Sequence, residues 1–256
     1  MVLTDTHTHL YYEADEAART AMVQRCLDQE ITRLFLPNVD AASVPMVLNL
    51  VETYPQYCFP MLGLHPCSVT ENWETELQAI KELWDNKQKY YAIGEIGIDL
   101  YWEQNLLKEQ QEAFRTQIHW AKEANLPLVI HCRAAFNEVY AILKEEHDEK
   151  LKGIFHCFSG DPEQANQIIE LGFYLGIGGV VTYKNAGLDK VVQQISLEHL
   201  VLETDSPYLP PVPFRGKPNE SAYLTYIAQN IADLHQLPVE KIAEITTLNS
   251  EKVFGI

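Results

Sequence analysis

The sequence predicts a closed (β/α)8 barrel, an α/β TIM barrel built as one domain, and three observations point there. Its 256 residues suit the usual size of that fold. Eight short apolar runs rich in β-branched residues recur along the chain, with helical periodicity between them. Asn-Gly and Asp-Gly pairs, the common hairpin signal for antiparallel neighbours, are missing between the runs. The predicted strands lie near Val2–His9, Arg33–Pro37, Cys58–His65, Tyr91–Ile98, Leu128–His131, Gly153–Phe158, Phe173–Val181 and Leu200–Asp205. Among the helices, Glu74–Trp84 opens after a proline–serine loop, and Leu107, Phe114, Ile118 and Ala121 share one helical face. Ser159–Gly172 leaves room for about three helical turns. Two further helices, about Glu220–His235 and Pro238–Phe254, close the chain. An open doubly wound sheet would follow if one of the eight runs were not a strand. With no linker, low-complexity tract or repeat, residues 1–256 are expected to form a single domain.

Composition narrows the function classes. At 46% hydrophobic and 10% aromatic residues, the chain can bury a sizeable core, which excludes disordered and small disulfide-scaffold readings. Nineteen Lys and Arg against 36 Asp and Glu give a net charge of −17, which opposes broad adhesion to nucleic acid or an anionic membrane. Bound metal ions would reverse the local field of an acidic site, so an enzyme acting on a polyanion stays open. The same charge favours a soluble monomer. Five cysteines (Cys26, Cys58, Cys67, Cys132, Cys157) without CxxC spacing fit free thiols in a reducing compartment. Met1–Leu10 has no basic n-region and carries Asp5, His7 and His9, so a signal peptide is not expected there. No apolar run approaches the roughly 20 residues of a bilayer span. A cytoplasmic protein without membrane association is the expectation.

The ends of the runs carry the chemistry. Strands 1, 4, 5, 6 and 8 deliver His7 and His9, Glu95, His131, His156 and Asp205 to what would be one rim, the mouth where barrel enzymes build their sites. Side chains alternate along a strand, so His7 and His9 face the same side at a spacing that suits a shared metal ion. Gathering carboxylates and imidazoles from five strands would cost many kcal/mol unless cations or partners compensate. Mixed imidazole and carboxylate donors suit Mn²⁺, Zn²⁺ or Fe²⁺. Two ions need a bridge, and Glu95 is the bidentate candidate. By parity, Cys132 and Cys157 should face outward into the layer between barrel and helices. Asp5 and Glu203 should point inward below the ions, either orienting imidazoles and holding a proton or satisfied by backbone N–H groups.

Seven segments together resemble the signature blocks of the TatD family of metal-dependent hydrolases. They are Asp5-Thr6-His7-Thr8-His9, Gly63-Leu64-His65-Pro66, Gly94 to Asp99, Leu126 to Arg133, Phe155 to Gly160, Glu203 to Tyr208, and Pro213 to Glu220. They occur in order from Thr4 to the C-terminal helices. The resemblance implies a TIM barrel, two or three divalent ions and deoxyribonuclease activity on DNA. It also implies that His7, His9, Glu95, His131, His156 and Asp205 are the metal ligands. Ala134 and Leu100 depart from the family pattern, which often has an acid and an aromatic residue at those positions; neither is an expected ligand.

The expected chemistry is hydrolysis of a DNA phosphodiester by a metal-activated water, trimming ends or single strands. The ions are Mg²⁺, Mn²⁺ or Zn²⁺, two or more. One ion would lie among His7, His9, Glu95 and Asp205, and the second among Glu95, His131 and His156. Glu95 and Asp205 are the catalytic candidates, with Asp205 orienting or deprotonating the nucleophile. Arg133, which shares inward parity with His131, would grip phosphate or pair with a carboxylate. His65 would donate to the substrate or is simply capped by Pro66. In the proline-rich segment Ser206–Ser221, Arg215, Lys217 and Asn219 would face a nucleotide chain unless the loop is only a rigid cover. Tyr208 would stack on a base or pack beneath the loop. Gly176, Gly178 and Gly179 are expected mainly to allow close packing. Two alternatives stay open: a binuclear amidohydrolase or lactonase, whose usual bridging lysine has no counterpart on the fourth strand, and a metal-loaded scaffold without turnover.

Overall fold

The computed structural model describes residues 2–84 and 87–256; Met1, Asp85 and Asn86 lie outside the described residues. Strands and helices alternate as β1 (Leu3–Asp5), α1 (Glu16–Asp28), β2 (Ile31–Leu36), α2 (Val44–Thr53), β3 (Cys58–Pro60), α3 (Trp73–Leu83), β4 (Ile93–Asp99), α4 (Leu107–Ala124), β5 (Leu128–Arg133), α5 (Phe136–Glu145), β6 (Gly153–Phe155), α6 (Pro162–Glu170), β7 (Phe173–Ile177), α7 (Leu188–Val192), β8 (Leu200–Leu202), α8 (Leu224–His235) and α9 (Val239–Phe254). All pairings between strands are parallel, in the runs β1-β2-β3 and β4-β5-β6-β7-β8.

Hydrogen bonds cross both seams and complete the ring. Between β3 and β4, Gly94 N–H donates to Leu62 O and Leu62 N–H to Ala92 O. Between β8 and β1, Thr6 N–H donates to Leu202 O and Asp205 N–H to His7 O, beside the Thr8–Ser206 bridge. The eight-stranded TIM barrel is therefore the fold.

Local sequence explains the helices. Asp161 and Gln164 form a reciprocal capping box at the start of α6, with Pro162 following the cap. Asp15 caps α1 by accepting from Ala18 N–H. The C-terminal region expected as one helix from Glu220 opens instead with a 3-10 turn, Ser221–Tyr223, before α8.

Two apolar layers hold the barrel. Outside it, Leu34, Leu36, Ile96, Ile98, Leu128 and Ile130 pack against the helices. The opposite parity supplies Phe35, Val129, Ile154 and Val201 to a second cluster with Met61, Val253 and Phe254. Phe254 of α9 stacks on Phe35 at 3.7 Å, and Glu251 of α9 pairs with Arg33 at 2.7 Å, so α9 plugs the amino-terminal end. Every second residue beyond this apolar floor then points at the carboxyl-terminal mouth.

The strands of β1, β3, β6, β7 and β8 stop short of the predicted ends. Ladder pairing ceases where the chain begins to turn at the mouth, and Ala134, Cys157 and Asp205 there adopt positive φ (53°, 48° and 56°). Alternation, which assumes continued strand, loses its force beyond those points.

Candidate metal centre

Glu95 lies at the centre of the mouth, fully buried on β4. Its Oε2 is 3.1 Å from Nε2 of His7 and 3.7 Å from Nε2 of His9. Its Oε1 is 2.8 Å from Nδ1 of His131, 3.2 Å from Nε2 of His65 and 3.6 Å from Nε2 of His156. Each oxygen thus faces a different set of imidazoles. Asp205 Oδ1 stands 3.5 Å from His9, 3.7 Å from His156 and 3.9 Å from His7. The rings of His7 and His156 stack at 3.5 Å. All six expected ligands converge.

Gly97 makes the approach of β4 to β5 possible. Its φ is +138°, and a Cβ there would sit 2.0 Å from His131 O, so only glycine fits where the two strands bring Glu95 and His131 together.

The groupings differ in two respects from the sequence expectation. Donor atoms within 4.8 Å of one another fall into His7–His9–Glu95, His7–His156–Asp205, His65–Glu95–His131 and His156–Cys157–Glu203. His156 thus groups with His7 and Asp205 while staying 3.6 Å from Glu95 Oε1, and His131 pairs with His65. His65 was expected to meet substrate away from any ion; it joins the carboxylate cluster because its Nδ1 accepts from Cys67 N–H and turns Nε2 toward Glu95.

Protonation follows from burial and neighbours. Burial and the facing His156 push His7 down to about 4, leaving its nitrogen lone pair free near neutral pH. Burial alone would raise Glu95, but His65, His7, His156 and the bond from His131 hold it well below the usual carboxylate range. Burial is likewise outweighed at Asp205 by His156, His9 and His7, and its pKa falls. His156 resists burial because Glu203, Glu95 and Asp205 surround it, and its pKa rises to about 10. Ionised carboxylates, an unprotonated imidazole and converging Nε2 atoms 3.2 Å apart on His7 and His9 form a donor set that fits divalent cations.

The neighbours sort less simply. Glu203 points inward as expected, its Oε1 2.9 Å from His156 Nδ1 though out of line for a straight hydrogen bond. Gly176 makes room for it, since a Cβ there would lie 2.3 Å from Glu203 Oε2. Gly179 serves packing too, against the backbone of Leu209 and Pro211. Asp5 does not point inward. It pairs with Leu34, whose side chain belongs to the outer layer, and its carboxylate accepts from His7 N–H, Thr204 N–H and the Thr204 hydroxyl. Strand β1 ends at Asp5, so the parity linking it to His7 is broken. Burial raises Asp5 to about 7 despite those donors. Cys132 packs against the outer layer as expected, whereas Cys157 does not. Positive φ at Cys157 swings its thiol toward Glu203, and burial keeps it protonated.

Arg133 is exposed and lies 4.1 Å over the ring of Tyr101; among the described residues it joins no ion pair. Tyr208 is 52% exposed and meets His9 edge-on at 5.9 Å, so it is not packed beneath the loop. Arg215 is exposed and stands 4.3 Å over Tyr183. Asn219 is buried instead of presented: its amide donates to Thr204 O and Tyr208 O, tying the proline-rich segment to the strand below.

Four supporting residues escaped the sequence reading. Asp99 Oδ2 lies 2.8 Å from His131 Nε2, and its position four residues after Glu95 on one strand was the available signal. Tyr11 OH meets His9 Nδ1 at 3.0 Å. Gln110 and Gln117, buried on one face of α4, clamp the backbone of Asp99 and Leu64.

A profile of the TatD-related DNase family matches residues 4–255. The chain belongs to the TatD family of metal-dependent hydrolases. Among its TatD relatives, the metal-dependent hydrolase YabD of Bacillus subtilis (strain 168) is 40% identical over 256 residues, covering 100% of both chains. The metal-dependent hydrolase YcfH of Escherichia coli (strain K12) is 37% identical, covering 100% of this chain and 97% of its own. The crystal structure of the TatD homologue YjjV from Escherichia coli K12 superposes with a TM-score of 0.92 at 28% identity, over 99% of this chain and 98% of the other. Among the described residues no helix is long and apolar enough to cross a membrane.

Proposed function

We propose that this TatD-family hydrolase is a deoxyribonuclease that cleaves phosphodiester bonds at DNA ends or in single strands, acting as a one-domain monomer over residues 1–256. The observation that carries the reading is Glu95, whose two oxygens face separate imidazole sets, as a bridge between two cations requires. His7, His9 and Glu95, flanked by Asp205, would hold one ion; Glu95 and His131, with His65 beside them, would hold the second; His156, stacked on His7 and 3.6 Å from Glu95 Oε1, stands between the two. Divalent ions there, Mg²⁺, Mn²⁺ or Zn²⁺, supply Lewis acidity that makes water nucleophilic near neutral pH and offsets charge on phosphoryl oxygens.

The chain's own residues do the rest. Asp205, with 13% of its side chain exposed, would orient the attacking water and accept its proton. Asp99 orients His131 through a hydrogen bond, and Glu203 stands as a counter-charge 2.9 Å from His156 Nδ1. Arg133, free of carboxylate partners among the described residues, is available to a phosphate oxygen. Tyr208, edge-on to His9, and exposed Arg215 would contact the nucleotide chain from the proline-rich segment.

Protein stripped of metal and resupplied with Mg²⁺, Mn²⁺ or Zn²⁺ tests the reading on labelled single- and double-stranded DNA, beside lactone and amide substrates. Metal-restored DNA cleavage lost in His131→Ala and Asp205→Asn is the expected outcome. Cleavage surviving both substitutions identifies a contaminant, and turnover of a lactone or amide alone replaces the nuclease reading.

A further inference from the structure

Beside the metal centre the β4–α4 loop displays an unusual surface. Trp102 is 67% exposed and Tyr101 56% exposed, their rings edge to face at 4.8 Å. The Arg133 guanidinium lies 4.1 Å over Tyr101 and 5.4 Å from the Trp102 ring centre. Large exposed aromatics are scattered singly on many proteins, but here two adjoin a cation at the rim of a candidate active site.

The loop is also fixed to the chemistry. Asp99 Oδ1 accepts from the N–H groups of Tyr101 (2.9 Å) and Trp102 (2.8 Å), while its Oδ2 meets His131 Nε2. Leu100 N–H donates to Arg133 O at 3.0 Å, and the Gln110 amide donates to Glu103 O at 3.1 Å. One carboxylate thus sets both a candidate metal ligand and the two aromatic residues.

We infer that Tyr101, Trp102 and Arg133 form a stacking shelf for an unpaired nucleobase adjoining the phosphate at the metal centre, with Arg133 on the neighbouring phosphate. The inference rests on the nuclease reading for its substrate and goes beyond it by naming where a base binds. Charge decides between occupants: a chain at −17 repels anionic membranes and draws little from long-range attraction to DNA. Affinity must then come from contact, and base–aromatic stacking is the contact every nucleotide offers. A duplex keeps its bases stacked on one another, so only a single strand or a frayed end supplies a free face.

Titrating the metal-free protein with single-stranded oligothymidylate, while following tryptophan emission, tests this apart from catalysis. Saturable quenching is expected, weaker with the same strand paired to oligoadenylate. Trp102→Leu is expected to abolish the quenching and raise Kd by roughly ten-fold or more. Trp102→Phe, which keeps a ring, should restore most of the affinity. Arg133→Ala should lower the salt slope by about one. With metal, Tyr101→Ala/Trp102→Leu should raise KM for the single strand while kcat stays within about three-fold. Unchanged Kd in Trp102→Leu, equal quenching by duplex, or no binding by the parent chain overturns the shelf. If strands bind through Trp102 but no metal restores cleavage, the nuclease reading fails and the shelf stands; if DNA is cleaved with no dependence on Trp102, the reverse holds.

Discussion

The floor of the barrel and its mouth are made by the same strands and follow opposite rules. Below, Phe35, Val129, Ile154 and Val201 meet Phe254 in a closed apolar layer, each side chain worth roughly 1.5–3 kcal/mol of burial. Two residues further on, within β5 and just past the ends of β6 and β8, the same inward parity delivers His131, His156 and Glu203, and Asp205 follows. Buried carboxylates and imidazoles destabilise a fold unless partners compensate. A barrel selected for stability alone would continue the apolar layer upward. The contrast shows that stability and chemistry are separated by a few ångströms along each strand, which makes the two experimentally separable.

The largest effect is expected where the mouth loses the carboxylate proposed to bridge two cations. Glu95→Gln should lower kcat for the metal-restored reaction roughly thousand-fold, the scale of several kcal/mol of lost charge stabilisation, with a smaller loss of unfolding free energy than a floor variant shows. Phe35→Ala should do the converse, costing about 3–5 kcal/mol in urea unfolding while metal uptake of the folded protein is kept. Equal loss of stability in both variants would erase the distinction between floor and mouth. Glu203→Gln should weaken metal affinity or activity about 10- to 100-fold by freeing His156. Gly176→Ala, whose new Cβ would collide with Glu203 Oε2, should reproduce that defect in the same assay. The smallest expected difference lies between two cysteines. Cys132→Ser places a hydroxyl in the outer apolar layer and should cost about 1–3 kcal/mol. Cys157→Ser, beside Glu203, has an acceptor and should cost less than about 1 kcal/mol by the same unfolding measurement.

The same boundary marks what could be read from sequence. Eight strands, their order and the convergence of His7, Glu95, His131, His156 and Asp205 were legible, because apolar runs and strand-end polar residues carry a period. Cys132 was placed correctly within β5, and so was Glu203, which lies one residue past β8 but whose N–H still donates to Ile177 O. Asp5 and Cys157 were not, since β1 ends at Asp5 and Cys157 turns through positive φ. The contact of His65 with Glu95 was not legible, because a loop bond from Cys67 aims its ring. Gln110 and Gln117 were silent, as a glutamine on a helix looks solvated until its backbone partners are known. Parity works only as far as hydrogen-bonded strand extends.

The cation-holding role of the mouth is tested most directly by calorimetric titration of the metal-free chain with Mn²⁺, at pH 7.5, against Glu95→Gln. Saturable binding of at least one ion by the parent chain, weakened ten-fold or more in the variant, is the predicted result. No binding by the parent, or equal binding by both, would contradict it.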